Sequence, residues 1–328
     1  MPPMIVSTLF KGKDLISPIF KKNATLAGLF GNKTSKAFKK ASRSATDFKS
    51  ILKGVLTAGL IQRGVATLSR GIRAAVTEFV DFDSALTRAG AKFPEVIKRG
   101  TDSFKKLGAV ARKIGAETQF TAADAARGLD FLAMAGFNAE QAMSMLPGVV
   151  DLATTAGMDL ARATDIASDS LGAFGLMTKD TAQLQTNLSR VTDVMAATVT
   201  SANTDMEQLF ETMKMAGPVA TNAGASIETF NTMAATMANA GIKGSLAGTA
   251  LRTAFVNLAA PTAGAKGWLK KLKVEIKDSN GNMRDMFDIM NQLRKGTAKM
   301  GNVQKTAAMN AIFGKRAVAG MTVVLNGG

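Results

Sequence analysis

The chain has 328 residues, is 46% hydrophobic and carries a net charge of +16. It contains no Cys, His or Tyr, which excludes thiolate nucleophiles, imidazole acid–base groups, the usual zinc ligands and disulfides. Carboxylates and lysines remain but do not gather at catalytic spacings, so no enzyme, cofactor or metal site is expected, and the length predicts two regions rather than one.

From the N-terminus, residues 1–75 hold 14 Lys or Arg against only Asp14 and Asp47, a net +12, whereas the other 253 residues net only +4. So basic a segment implies an acidic partner: nucleic acid, an anionic membrane or an acidic protein surface. Lys11, Lys21, Lys22, Lys39, Lys40 and Arg43 are the candidate contacts. Gly12, Pro18, Gly28 and Gly31 interrupt any periodicity, so residues 1–47 read as a basic, loosely ordered segment. No secretory signal fits the first residues, although the basic, Ser-rich composition superficially resembles a transit peptide.

Residues 48–117 read as long amphipathic helices. The most apolar stretch, Ile51 to Val76, is broken by Lys53, Arg63, Arg70 and Arg73, which suits a basic amphipathic helix on a membrane or a partner, not a membrane span. A long N-terminal helix is expected from about Phe48 to Ala89, with Phe79, Phe82 and Leu86 on one face and Gly90 near its end. Pro94 breaks the pattern, and a second helix is expected from about Thr101 to Ile114.

Residues 118–328 read as a compact multi-helix core. Thr121-x-x-Asp124 resembles a capping box for a helix through Ala135. Four Ala-Gly pairs then end one apolar-periodic segment before a residue that caps the next: Ala135-Gly136 before Asn138, Ala156-Gly157 before Asp159, Ala223-Gly224 before Ser226, and Ala240-Gly241 before Ser245. A Gly just past a helix supplies left-handed backbone, and Ser, Asn or Asp caps the following N–H groups. Gly136, Gly157, Gly224 and Gly241 are therefore the expected structural turns.

Stripes at helical spacing lie between these marks. One is Ala142, Leu146, Val149, Ala153 and Ala156, which Pro147-Gly148 should kink or split. The next are Leu160, Ala163, Ala167, Leu171 and Phe174, then Leu184, Leu188, Val191, Met195 and Val199. Thr204-x-x-Glu207 reads as a capping box before Met206, Phe210 and Met213, ending at a Gly217-Pro218 break. Ile227, Phe230, Ala234 and Met237, and then Leu251, Phe255 and Leu258, continue the series. Around residues 273–284 Val274 and Ile276 alternate with charges before Asn280-Gly281, which predicts one small β-hairpin. Helical spacing returns at Met286, Ile289 and Leu293 and again over Ala307 to Phe313. The expected fold is all-α, with many short antiparallel helices joined by Ala-Gly turns.

Several apparent sites fail on their residues. Asp278-Ser-Asn280-Gly-Asn282 begins like a calcium loop, but Met283 and Ile289 occupy the positions that need Gly and Glu. Gly241-Ile-Lys-Gly244-Ser-Leu-Ala-Gly248 lacks the Gly-Lys-Ser/Thr ending of a phosphate loop, which favours close helix packing. The 19 Met fall mostly on inward stripes, as in a soft core. Trp268 beside Lys270 and Lys271 reads as a packing anchor.

One succession of phrases resembles a known family. Thr118-Gln-Phe-Thr-Ala-Ala-Asp-Ala-Ala-Arg127, Met134-Ala-Gly-Phe137, Pro147-Gly-Val-Val-Asp-Leu-Ala153, Leu171-Gly-Ala-Phe-Gly175, Pro218-Val-Ala-Thr-Asn-Ala-Gly224, Ala240 through Arg252 and Ile312-Phe-Gly-Lys-Arg316 together resemble the N-terminal region of phage tail tape measure proteins. The resemblance covers about residues 80–320. It implies a structural virion protein in the tail tube lumen that sets tail length during assembly and is released before genome ejection. Implied partners are the tail tube protein, tail tip or baseplate proteins, a tail assembly chaperone and further copies of the chain, with later contact with DNA or the host membrane, and implied locations are the virion and, during assembly, the host cytoplasm.

The resemblance also carries a mismatch of length. As one continuous helix the chain would reach only about 490 Å at 1.5 Å per residue, and the short turns oppose such an extension. Either a fragment of a longer tape measure or a protein of a short tail or tail-derived particle is therefore expected, and the fragment is preferred because the ending at Met321-Thr-Val-Val-Leu-Asn-Gly-Gly328 interrupts an apolar segment. An architectural nucleic-acid-binding protein would also explain the N-terminal charge, and a membrane-active helical protein would explain Ile51 to Val76 and the Ala/Gly-rich helices.

Overall fold

Capping residues and apolar periodicity give helices alone in the computed structural model, which describes the backbone of residues 58–327 and the side chains of residues 75–327. Among the described residues there are thirteen helices and no strand. They are α1 (Ala58–Lys92), α2 (Asp102–Glu117), α3 (Ala122–Met134), α4 (Ala139–Ala156), α5 (Leu160–Ala173), α6 (Thr181–Ser201) and α7 (Met206–Asn222). After these come α8 (Ile227–Asn239), α9 (Gly244–Ala259), α10 (Ala263–Leu272), α11 (Met286–Thr297), α12 (Asn302–Phe313) and α13 (Val318–Gly327). The chain divides into two units, residues 1–75 and 76–328. Of the first, only the helical backbone of residues 58–75 is described.

Within the second unit, most of the predicted stripes are the core. Leu160, Ala163, Ala167, Leu171 and Phe174 are all buried, as are Leu184, Leu188, Val191 and Met195, and Ile227, Phe230, Ala234 and Met237. Each large apolar side chain removed from water contributes about 1.5–3 kcal/mol, which is what makes helices of 10–21 residues stable when they would be marginal in isolation. The two most extensive packings join alternate helices, α7 on α9 and α4 on α6; consecutive α2 and α3 come next, followed by α3 on α5, with α5 on α7 among those after it. Small residues permit the tightest of these. A Cβ on Gly248 of α9 would lie 2.7 Å from Met215 Cβ and 3.1 Å from Thr212 O of α7.

Four expectations need correction. The long helix expected from Phe48 is not supported as drawn: residues 48–57 lie outside the described residues, and α1 runs past Gly90 to Lys92. The expected β-hairpin is a single antiparallel bridge, Lys277 to Met283. Asp278 explains why it is no longer, because its carboxylate accepts the N–H groups of Asn280 and Asn282 at 2.9 and 2.8 Å and so folds the segment into a side-chain-bonded turn. Pro147 and Pro218 sit inside continuous α4 and α7. Each removes only its own N–H from the ladder, while Leu146, Val149, Ala216 and Ala220 around them are fully buried and hold the helix in register.

The last correction concerns two caps. The residue capping α7 is Asp205, accepting from Gln208 N at 2.8 Å, and not Thr204 with Glu207. Carboxylate at an N-cap suits the positive helix end, and Glu207 is bonded elsewhere, to Arg162. Helix α9 opens at Gly244 behind Lys243 with no side-chain cap, so Ser245 lies within its first turn.

Candidate functional site

The side chains that define this surface are those that join helices, and they begin at the helix ends. Gly136, Gly157, Gly224 and Gly241 have φ of 90°, 63°, 85° and 82°, left-handed values that an L side chain adopts at a cost. In each case the next N–H reaches back five residues: Phe137 to Leu132 O at 3.2 Å, Met158 to Ala153 O at 3.0 Å, Ala225 to Ala220 O at 2.9 Å and Ile242 to Met237 O at 3.0 Å. This closes otherwise unpaired terminal carbonyls, and the apolar residue making the bond packs back on the helix it ends. Asn138, Asp159 and Ser226 follow at once and cap the next helix, accepting from Gln141, Arg162 and Thr229 N at 2.9, 2.8 and 3.1 Å. Three connectors thus share one design, Gly, apolar residue, cap.

Sequence reasoning missed two further members of this set. Gly175, with φ 64°, ends α5 through Leu176 N to Leu171 O at 2.9 Å, and Lys273, with φ 56°, ends α10 through Val274 N to Leu269 O at 2.9 Å. Phe174-Gly175 carries the same signal without the preceding Ala. Lys273 carries none, because a Lys in left-handed backbone is held by its surroundings and not by its own preference.

The ends of α5 and α12 are also tied from across the fold. Asn187 of α6 donates to Leu176 O at 2.7 Å, Thr221 of α7 to Ala173 O at 3.2 Å and Asn257 of α9 to Phe313 O at 2.7 Å. Two bidentate ion pairs repeat one geometry. Arg162 of α5 grips Glu207, the second residue of α7, at 2.7 and 2.6 Å, and Arg190 of α6 grips Glu228, the second residue of α8, at 2.6 and 2.7 Å. The Arg190 guanidinium holds the Glu228 carboxyl down at about 2, and Arg162 likewise lowers Glu207. An acid in a first helical turn also meets the positive end of the helix. Arg162 lies over the Phe210 ring at 5.1 Å. At α1, Lys92 Nζ lies 2.9 Å from the buried carboxylate of Asp130 on α3.

The acidic-partner candidates Lys11, Lys21, Lys22, Lys39, Lys40 and Arg43 lie outside the described residues. Among the described residues no three of Asp and Glu gather as metal ligands do, and no helix is long and apolar enough to cross a membrane. A shallow groove of about 660 Å³ runs beside α10, lined by Ala259, Ala260, Pro261, Lys266, Leu269, Lys270 and residues 274–277. Trp268 is half-buried against the core with Lys271 Nζ 4.8 Å from its ring centre. The caps, grips and close crossings hold many short helices in one body, and the described residues form a helical scaffold.

Comparison with known proteins narrows that class. The family model for phage-related minor tail protein matches residues 105–314. The chain is similar to the tape measure protein of Pneumococcus phage Dp-1, 32% identical over 269 residues, which are 80% of this chain and 23% of that protein. It is similar also to the probable tape measure protein of Escherichia phage P2, 31% identical over 218 residues, 66% of this chain and 26% of that one. No solved structure matches. The chain belongs to the tape measure proteins of phage tails, a structural class, and it spans about a quarter of the length of the curated relatives it matches.

Proposed function

We propose that this chain is the folded portion of a tape measure that occupies the lumen of the tail tube, helps set tail length during assembly, and leaves before the genome passes. It acts without catalysis. The observation that carries the reading is that the stretch matching the minor tail family, residues 105–314, falls within a region folded into many short helices. After α1 the longest helix has 21 residues and reaches only about 30 Å at 1.5 Å per residue. Such a body suits an attachment end that docks in the tube or on its tip, while distance is measured by extended helix elsewhere in a tape measure. The N-terminal cations Lys11, Lys21, Lys22, Lys39, Lys40 and Arg43 meet an acidic wall or partner through pairs that are individually weak and screened by salt, which permits release. Tube and tip proteins, an assembly chaperone and further copies of the chain are the proposed partners.

Tails imaged and immunoblotted before and after triggered ejection test this. Density inside intact tubes, loss of that density after ejection and parallel loss of the chain are expected. A chain found on the outside of the tube, or retained in full after ejection, would refute lumen occupancy.

A further inference from the structure

The near-neutral balance of the folded body conceals a separation of charge. Residues 76–259 carry 15 Lys or Arg and 19 Asp or Glu, a net −4, whereas residues 260–328 carry 12 and 4, a net +8. Part of that excess is concentrated at the groove beside α10. Lys266 and Lys270, four residues apart, share a helix face about 6 Å apart along the axis, and Lys277 reaches the same groove from the bridged turn. All three are exposed, and among the described residues none has a carboxylate within ion-pairing distance. The groove's one acid, Glu275, is already paired with Arg284 at 2.9 Å. Its other lining residues are apolar: Ala259, Ala260, Pro261, Leu269, Val274 and Ile276.

We propose that this groove is a docking site for an acidic, amphipathic segment of another protein, whose carboxylates meet Lys266, Lys270 and Lys277 while its apolar side chains cover the floor. The chemistry favours a peptide over nucleic acid. Nucleic-acid binding draws on a cationic face that follows many successive phosphates, whereas here three lysines border a groove whose other lining is mostly apolar. Complementary charge speeds encounter and sets register, and the apolar floor supplies the area that holds. The inference goes beyond tail placement and does not depend on it.

The test uses the purified full chain and a fluorescently labelled short peptide alternating Glu with Leu, followed by anisotropy. Because the N-terminal cations also attract acidic peptides, the chain lacking the charges of Lys11, Lys21, Lys22, Lys39, Lys40 and Arg43 is measured in parallel. Binding to both forms is expected, weakened about tenfold by K266Q/K270Q/K277Q, while circular dichroism and melting temperature stay unchanged. A peptide alternating Glu with Ser should bind less tightly than the Glu–Leu peptide. No binding, binding indifferent to the three substitutions, or equal binding of the Ser peptide would overturn the proposal. So would displacement by duplex DNA that the same three substitutions abolish. If that variant fails to fold, the single K270Q must still weaken binding for the proposal to stand.

Discussion

Replacing Gly248 by Ala should destabilise the body, although Ala is the better helix former. Gly248 is buried inside α9, and an added Cβ would meet Met215 Cβ at 2.7 Å and Thr212 O at 3.1 Å. Carbon atoms pack best at about 3.5–4.0 Å, so the first contact is roughly 1 Å too close, and both carbons are fixed directly to backbone. Relief therefore requires α7 and α9 to separate. That movement also stretches the bond from Thr212 Oγ1 to Gly244 O, now 3.0 Å. Overpacking of this kind costs about 1–3 kcal/mol, and the gain in helix propensity returns up to about 1 kcal/mol. The net is a loss of about 1 kcal/mol, or a fall of about 2–4 °C in melting temperature for a body of this size. Gly267→Ala is the control. It sits on the exposed face of α10 with nothing within 4 Å of the new carbon, so only the propensity gain of up to about 1 kcal/mol applies. Urea and thermal unfolding followed by circular dichroism should move the two variants in opposite directions. If Gly248→Ala stabilises the protein, the close crossing of α7 and α9 is wrong.

Three other outcomes follow from the helix ends. Gly136→Val, Gly157→Val, Gly224→Val or Gly241→Val should each cost on the order of 1–2 kcal/mol because the left-handed backbone opposes a β-branched side chain, whereas Lys273→Gly should leave stability unchanged or raise it in the same unfolding assay. Thr121→Ala should cost about 1 kcal/mol, since Thr121 Oγ1 accepts from Asp124 N at 3.1 Å and the Asp124 carboxylate accepts from Thr121 N at 2.9 Å; the loss would appear as faster amide exchange at the start of α3. Glu228 falls from an ordinary 4.5 to about 2 in the fold, so its contribution is complete above pH 4.5 and is lost as pH falls toward 2. Both partners are about half exposed, at 45%, so screening limits the term to about 1 kcal/mol or less. Glu228→Gln should lower stability slightly at neutral pH and flatten the acid-side loss, as read from urea titrations across pH.

What the sequence disclosed and what it hid divide along the reach of each interaction. The stripes of α5, α6 and α8 were legible because burial repeats every three or four residues, and the connectors at Gly136, Gly157 and Gly224 because Gly and cap are near neighbours. Pro147 and Pro218 misled, since their local cost is overridden by packing on neighbouring turns. Thr204 misled because Asp205 competes for the same N–H and Glu207 is drawn to Arg162, 45 residues away. The glycines of residues 241–248 pointed to close helix packing, as found at Gly248, but the Arg162–Glu207 and Arg190–Glu228 grips had no sequence signal at all. Their partners become neighbours only once alternate helices stack. The lysine groove was hidden differently: Lys266 and Lys270 are adjacent on a helix, but Lys277 joins them through a turn that looked like a hairpin.

Trp268 gives this protein a private optical window. The chain has one Trp and no Tyr, so near-ultraviolet emission arises from the indole on α10 without a second donor, beside Leu269 of the groove and under the Lys271 ammonium. Far-ultraviolet dichroism, by contrast, sums over every helix. Recording both signals on one melting sample compares the C-terminal helices with the whole: coincident curves mean that the body unfolds as a single cooperative block, and an earlier emission change means that α10 detaches first while the rest keeps its shape.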